Sequence, residues 1–151
     1  MSRQKDAQRG LNGAAMTMLP GDSVWLSDPE EHDFPAALSY LDLLWPDDDV
    51  DIVQVVAELR AAATIVKMAK DILRASRLEL LPMSNAHVNR NIHKFHKGKL
   101  LSPVLLVRGN PLIIADGYHR ICAAYHLTED LEVPCRLVSP RMRDGIRSYA
   151  S

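Results

Sequence analysis

The run SPVLLVRGNPLIIADGYHRICAAYHL, residues 102–127, constrains this chain more than any other stretch. VLLV and LIIA are too short for buried helices, and Gly109-Asn110 stands between them. They read as two short strands in tight antiparallel pairing. Asp116-Gly117 ends the second strand, and a helix from Tyr118 to about Leu127 follows at once. EVPCRLV, residues 132–138, reads as a closing strand. Such an order predicts a small mixed sheet with helices on its faces.

Upstream, NAHVNRNIHKFHKGKLLSP predicts a helix with Val88, Ile92 and Phe95 inward and Gly98 at its C-terminal end. Earlier still the texture is helical. DPEEHDFP gives an acidic helix start with Pro35 early in the helix, and Ala37, Leu38, Leu41, Leu44 and Trp45 recur at helical spacing until Pro46. PDDDVD reads as the next cap and first turn, followed by the stripe Ile52, Val55, Val56 and Leu59. ATIVKMAKDILRAS predicts a third helix, with Lys67, Lys70 and Arg74 on one face. Residues 23–26 form a short strand or turn.

The expected organisation is therefore α+β. Residues 1–20 are a disordered tail, 21–80 a helical N-terminal segment packed on the core, 81–138 the core with its small mixed sheet, and 139–151 a C-terminal tail. With 151 residues the chain is one domain by size. The net charge of -1 announces no bulk affinity for nucleic acid or membrane, so any anion site must be local. Cys122 and Cys135 have no paired spacing and read as buried, reduced thiols. The basic opening MSRQKDAQRG precedes an apolar run broken by Asn12 and Gly13, which argues against a signal peptide. No stretch has the roughly 20 apolar residues of a membrane span. A cytoplasmic protein is expected.

The chemistry concentrates at residues 116–120. An arginine in a helix's first turn is unfavourable unless something negative lies beside it. Gly117 permits a positive-φ turn and close ligand approach, while the following N–H groups, His119 and Arg120 supply donors. The negative partner is either a ligand phosphate or Asp116 itself, in which case the segment is a structural turn. Asp116 and His119 are the candidate catalytic residues. In phosphoryl transfer Asp116 would orient a nucleophile or hold Mg²⁺, and His119 or Arg120 would stabilise charge. Lys70 could reach the same site from the third helix. Arg90, Lys94, Lys97 and Lys99 make 87–99 the most basic segment, suited to nucleotide or nucleic-acid phosphates or simply a solvated surface. His87, His93 and His96 lack the carboxylate or cysteine that would complete a metal-binding spacing, so no metal site is assigned.

Residues 81–138 resemble the fold shared by the ParB N-terminal domain and sulfiredoxin. The likeness rests on the helix ending in glycine, SPVLLV, LIIADG, the G-x-H-R helix with Ala123 and Ala124, and VPCRLV. The phosphate-binding box of that fold, G-x-x-R-x-x-A, is met by Gly117, Arg120 and Ala123. The Asp-Gly lead is similar to free-serine kinases of the same fold, and WLSDPEEHDFPAALSYL resembles segments of bacterial ParB-like proteins. The resemblance implies an integral helical N-terminal part and phosphate binding through the turn Gly117, Tyr118, His119 and Arg120, which Lys70 would join if the third helix packs over it. ATP or CTP would be the ligand, accompanied by Mg²⁺, with slow hydrolysis or phosphoryl transfer and a homodimer within its scope.

Two departures limit what carries over. Tyr118 stands where sulfiredoxin has its catalytic cysteine, which excludes sulfinic-acid reduction by that residue. Only 13 residues follow Val138, too few for the helix-turn-helix of ParB proper. The alternatives are a DNA-binding or nuclease-like module using the same cradle with Arg90, Lys94 and Lys97, or an interaction module that kept the fold and lost the chemistry. An Asp116–Arg120 ion pair filling the cradle would favour the last.

Overall fold

A computed structural model describes residues 24–45 and 50–140. Its elements run α1 (Asp33–Leu44), α2 (Ile52–Ala61), β1 (Ile65–Met68), α3 (Ala69–Ser76), α4 (Ala86–His96), β2 (Val104–Val107), β3 (Ile113–Asp116), α5 (Tyr118–Leu127) and β4 (Glu132–Val138). The chain is thus α+β with a mixed sheet, as its sequence predicts. The tail expected over residues 1–20, most of the tail expected after 138 and the aspartates 47–49 lie outside the described residues.

Four strands form the sheet in the order β1-β4-β2-β3. β2 pairs antiparallel with β3 and parallel with β4, while β1 pairs antiparallel with β4. All four residues of the central strand β2 are buried because both sheet faces are covered. Val104 and Leu106 join the core under α3, α4 and α5, whereas Leu105 and Val107 join the core under α1 and α2. Strand periodicity divides one apolar run between two cores. Each such side chain, fully buried, contributes roughly 1.5–3 kcal/mol.

The helices bury only part of the stripes their spacing predicts: of the α1 stripe Ala37 and Leu41 are buried, Leu38 and Trp45 are half-buried, and Leu44 is exposed at the helix end. α1 buries Phe34, Ala37 and Leu41, and α2 buries Val55, Val56 and Leu59. The Asp51 side chain caps α2 by accepting from the Gln54 amide at 3.1 Å. Asn85 caps α4 by accepting from the amides of His87 and Val88 at 3.0 and 3.1 Å, and Gly98 leaves that helix at φ 77°.

One element departs from expectation. The third helix does not begin at Ala63, because Ile65–Met68 is a strand and only Ala69–Ser76 is helical. β1 gains a ladder with β4 that its own spacing does not encode, so tertiary pairing overrides the helical pattern. The division at residue 80 therefore cuts through the sheet, since the 21–80 segment supplies an edge strand. Lys67 leaves the helical face it was expected to share with Lys70 and Arg74.

Arg136 ties the two parts together. Its buried guanidinium donates to the carbonyls of Leu59 and Arg60 at 3.3 and 2.6 Å, to Thr64 Oγ1 at 3.2 Å and to Asp28 Oδ1 at 2.9 Å. A side chain of β4 thus satisfies carbonyls at the C-terminal end of α2. Cys122 and Cys135 are free thiols, both buried.

Candidate functional site

The β2–β3 ladder slips between Leu105 and Leu106, leaving Ala115 as the extra residue immediately before Asp116. The chain then turns at Gly117, with φ 115°, straight into α5. A Cβ there would lie 2.5 Å from Val104 Cγ1 and 3.0 Å from Arg120 Nη2, so both backbone angle and space demand glycine. No side chain caps α5, and its opening amides have no side-chain partner.

This turn forms one wall of a cleft of about 170 Å³. Residues 116–120 line that wall, and α4, which packs against α5, supplies His87, Arg90, Asn91 and Lys94 on the other. The α4 residues lie at three- and four-residue spacing on one stripe, while Val88 and Ile92 face the core. Three fixed cations, Arg90, Lys94 and Arg120, thus meet a single carboxylate, Asp116. The arrangement suits an anion.

Arg120 donates to Asp116 Oδ2 at 3.0 Å and to the Pro103 carbonyl at 3.3 Å. Its Nε is buried with no hydrogen-bond partner. The ion pair foreseen as the structural alternative is therefore present, yet the cleft beside it remains open. Burial pushes the Asp116 carboxyl above the usual carboxylate range; Arg120 opposes this, and the neighbouring Asp33 carboxyl adds to it by charge and by a hydrogen bond. His119 is held below its ordinary value by burial first, then by His87 and Arg120, which leaves a neutral imidazole at neutral pH. Its ring lies 4.8 Å from that of His87. Arg90 donates to His87 Nδ1 at 3.0 Å, and because arginine cannot accept, the His87 proton in this pairing sits on Nε2. The Tyr118 hydroxyl is engaged elsewhere, donating to the Glu79 carbonyl.

Two residues expected at the site are not part of it. Lys70 pairs with Asp130 at 2.7 Å and borders a separate groove beside Leu73, Leu78 and Tyr125. The Asp130 hydrogen bond and charge raise the Lys70 pKa. It is the second residue of α3, whose Ala69 and Lys70 amides donate to the Leu131 and Glu129 carbonyls, and it does not line the cleft. Lys97 caps the C-terminus of α4 outside the cleft lining. Conversely, His87 and Asn91 belong to the cleft, and Asp33 stands behind Asp116, although none of them was expected there. The periodicity of α4 groups His87 with Asn91 and Lys94, but nothing in it indicates which helix that stripe meets. DPEEHDFP reads only as a polar helix start, and Asp33 is buried because α1 packs across β3.

A resident Mg²⁺ does not suit this lining. Magnesium needs several oxygen ligands, and the single carboxylate here is engaged by a guanidinium among further cations. An ion arriving on a nucleotide's phosphates would belong to the ligand. Among the described residues no helix is long and apolar enough to cross a membrane. No protein-family model matches the chain, and neither the curated proteins nor the solved structures give a match.

Proposed function

We propose that this chain is a nucleotide-binding protein of the ParB/sulfiredoxin type, whose cleft at residues 116–120 grips the phosphates of ATP or CTP. The observation carrying the reading is the convergence of Arg90, Lys94 and Arg120 with the uncapped start of α5 on an open cleft containing one carboxylate. Its volume of about 170 Å³ holds roughly five waters, which matches one or two phosphate groups and leaves a base outside. Hydrolysis or phosphoryl transfer, if added to binding, would draw on His119 as proton acceptor and on Asp116 to orient the nucleophile.

Calorimetry with ATP, CTP and pyrophosphate, with and without Mg²⁺, tests this. Binding by the wild type that Arg120→Ala weakens at least about tenfold is expected, since a bidentate charged contact is lost. Absence of binding, or identical binding by the variant, defeats it and leaves 116–120 as a structural turn.

The DNA-binding alternative draws on Arg90 and Lys94 in the cleft and on Lys97 just beyond it. Retention on duplex DNA at low salt, lost steeply as salt rises, would favour it over a free nucleotide.

A further inference from the structure

β1 is an outer strand of the sheet, and all four of its residues are exposed. Ile65, Val66 and Met68 leave 38%, 51% and 39% of their surfaces open, so apolar side chains meet solvent on both faces of the strand. Lys67 is its single charge. Among the described residues no strand lies along its outer side. Such an edge offers unpaired backbone groups to another strand.

The ladder fixes which groups those are. The Ala69 amide donates to the Leu131 carbonyl at 2.9 Å, in the same register that pairs Ile65 with Cys135 and Lys67 with Val133. Odd-numbered residues of β1 therefore turn their N–H and C=O toward β4, and Val66 turns both outward. Val66 stands opposite Pro134, whose missing N–H takes nothing from this pair. Even-numbered residues of β4 face β2, as the Val138 carbonyl does in accepting from the Arg108 amide at 2.8 Å.

We propose that β1 is the contact through which two copies of this chain form a dimer, edge to edge and antiparallel, with Val66 opposite Val66 of the second copy. A two-fold axis perpendicular to the sheet keeps every residue on its own face, so odd-numbered residues oppose only odd ones and even only even. Registers that keep most of IVKM paired are thus centred on residue 66 or residue 67. Centring on Lys67 sets two ammonium groups against each other, which is destabilising. Centring on Val66 sets each Lys67 beside Ile65 of the other copy, where the lysine stem covers apolar surface and its head reaches water. The Val66 N–H and C=O groups of the two copies then exchange two hydrogen bonds. Because β1 has one open side, the assembly closes at two. A net charge of -1 puts little repulsion between the copies. The dimer stands independently of the phosphate cleft, whose lining comes from α4 and residues 116–120.

Sedimentation equilibrium of the full chain between about 1 and 200 μM should show a reversible monomer–dimer equilibrium, as a contact of this small size allows. Val66→Asp sets two carboxylates opposite each other, and Val66→Pro deletes the outward N–H while sparing the ladder with β4. Each should weaken association at least about tenfold, with a circular dichroism spectrum like that of the wild type. Under mild oxidation by air, Val66→Cys should link two copies much faster than Lys67→Cys, since only residue 66 meets itself at a Cα separation of about 5.5 Å. A wild type that stays monomeric throughout, or a dimer that survives both Val66→Asp and Val66→Pro, overturns the proposal. Faster linking through Lys67→Cys overturns it as well, because the charge argument would then have chosen the wrong register.

Discussion

Arg120 Nη2 donates to Asp116 Oδ2 at 3.0 Å across one helical turn, with the two side chains only 16% and 18% exposed. The carboxylate therefore occupies a position that a phosphate oxygen would claim. Asp116→Asn removes the internal competitor's charge while nearly preserving its shape. Affinity for pyrophosphate at neutral pH should rise about tenfold, equivalent to ~1.4 kcal/mol, as measured by calorimetry. Weaker binding would mean that Asp116 holds Arg120 in place for the ligand rather than competing with it.

Gly117→Ala should be among the most damaging single substitutions. The φ of 115° is strained for any residue with a Cβ, and that atom would stand 2.5 Å from Val104 Cγ1 inside the core. A loss of at least about 2 kcal/mol in denaturant unfolding is expected. Val104→Ala in the same chain should recover only part of it, since residue 104 keeps a Cβ 2.8 Å away and the backbone strain remains. Full recovery would show that space alone selects glycine here.

Arg136→Ala should destabilise by roughly 2–3 kcal/mol because it leaves the buried carbonyl of Leu59 and its neighbour at Arg60 without their charged donor. Lysine is not an adequate replacement, since one ammonium cannot span the two carbonyls, Thr64 and Asp28 together. Thermal melts of the alanine and lysine variants should both fall well below the wild type. A lysine variant as stable as the wild type would show that charge, not geometry, ties β4 to α2.

These features differ in how far they can be read from the chain. β2, β3 and α5 are bounded by Pro103, Gly109 and Gly117, so local chemistry marks their ends. β1 has no such boundary: IVKM runs directly into AKDILRAS, and only pairing with Val133 and Cys135 makes it a strand. The cradle at 116–120 is legible for the same local reason. Its second wall is not, because the stripe His87, Arg90, Asn91 and Lys94 gains meaning only when α4 packs on α5. Asp33 and Asp116 are 83 positions apart, and no periodicity links an acidic helix start to the end of a strand.

The buried thiol of Cys135 gives the last prediction, in alkaline solution. Burial raises its pKa from 9.0 to about 11, with Lys67 opposing weakly. The thiol is neutral when protonated, so below pH 9 it is neutral in folded and unfolded chains alike and has no effect on the pH dependence. Between about pH 9 and pH 11 the unfolded chain ionises while the folded one does not, which favours unfolding and removes roughly 3 kcal/mol in total. Cys135→Ala eliminates this slope at the cost of a small cavity, about 1 kcal/mol. Urea unfolding of both proteins should therefore show the wild type more stable at pH 8 and the variant more stable near pH 11, with the other titrating groups cancelling in the difference. Parallel stability curves across that range would show that Cys135 ionises as easily in the fold as outside it, and that the core around β4 admits water.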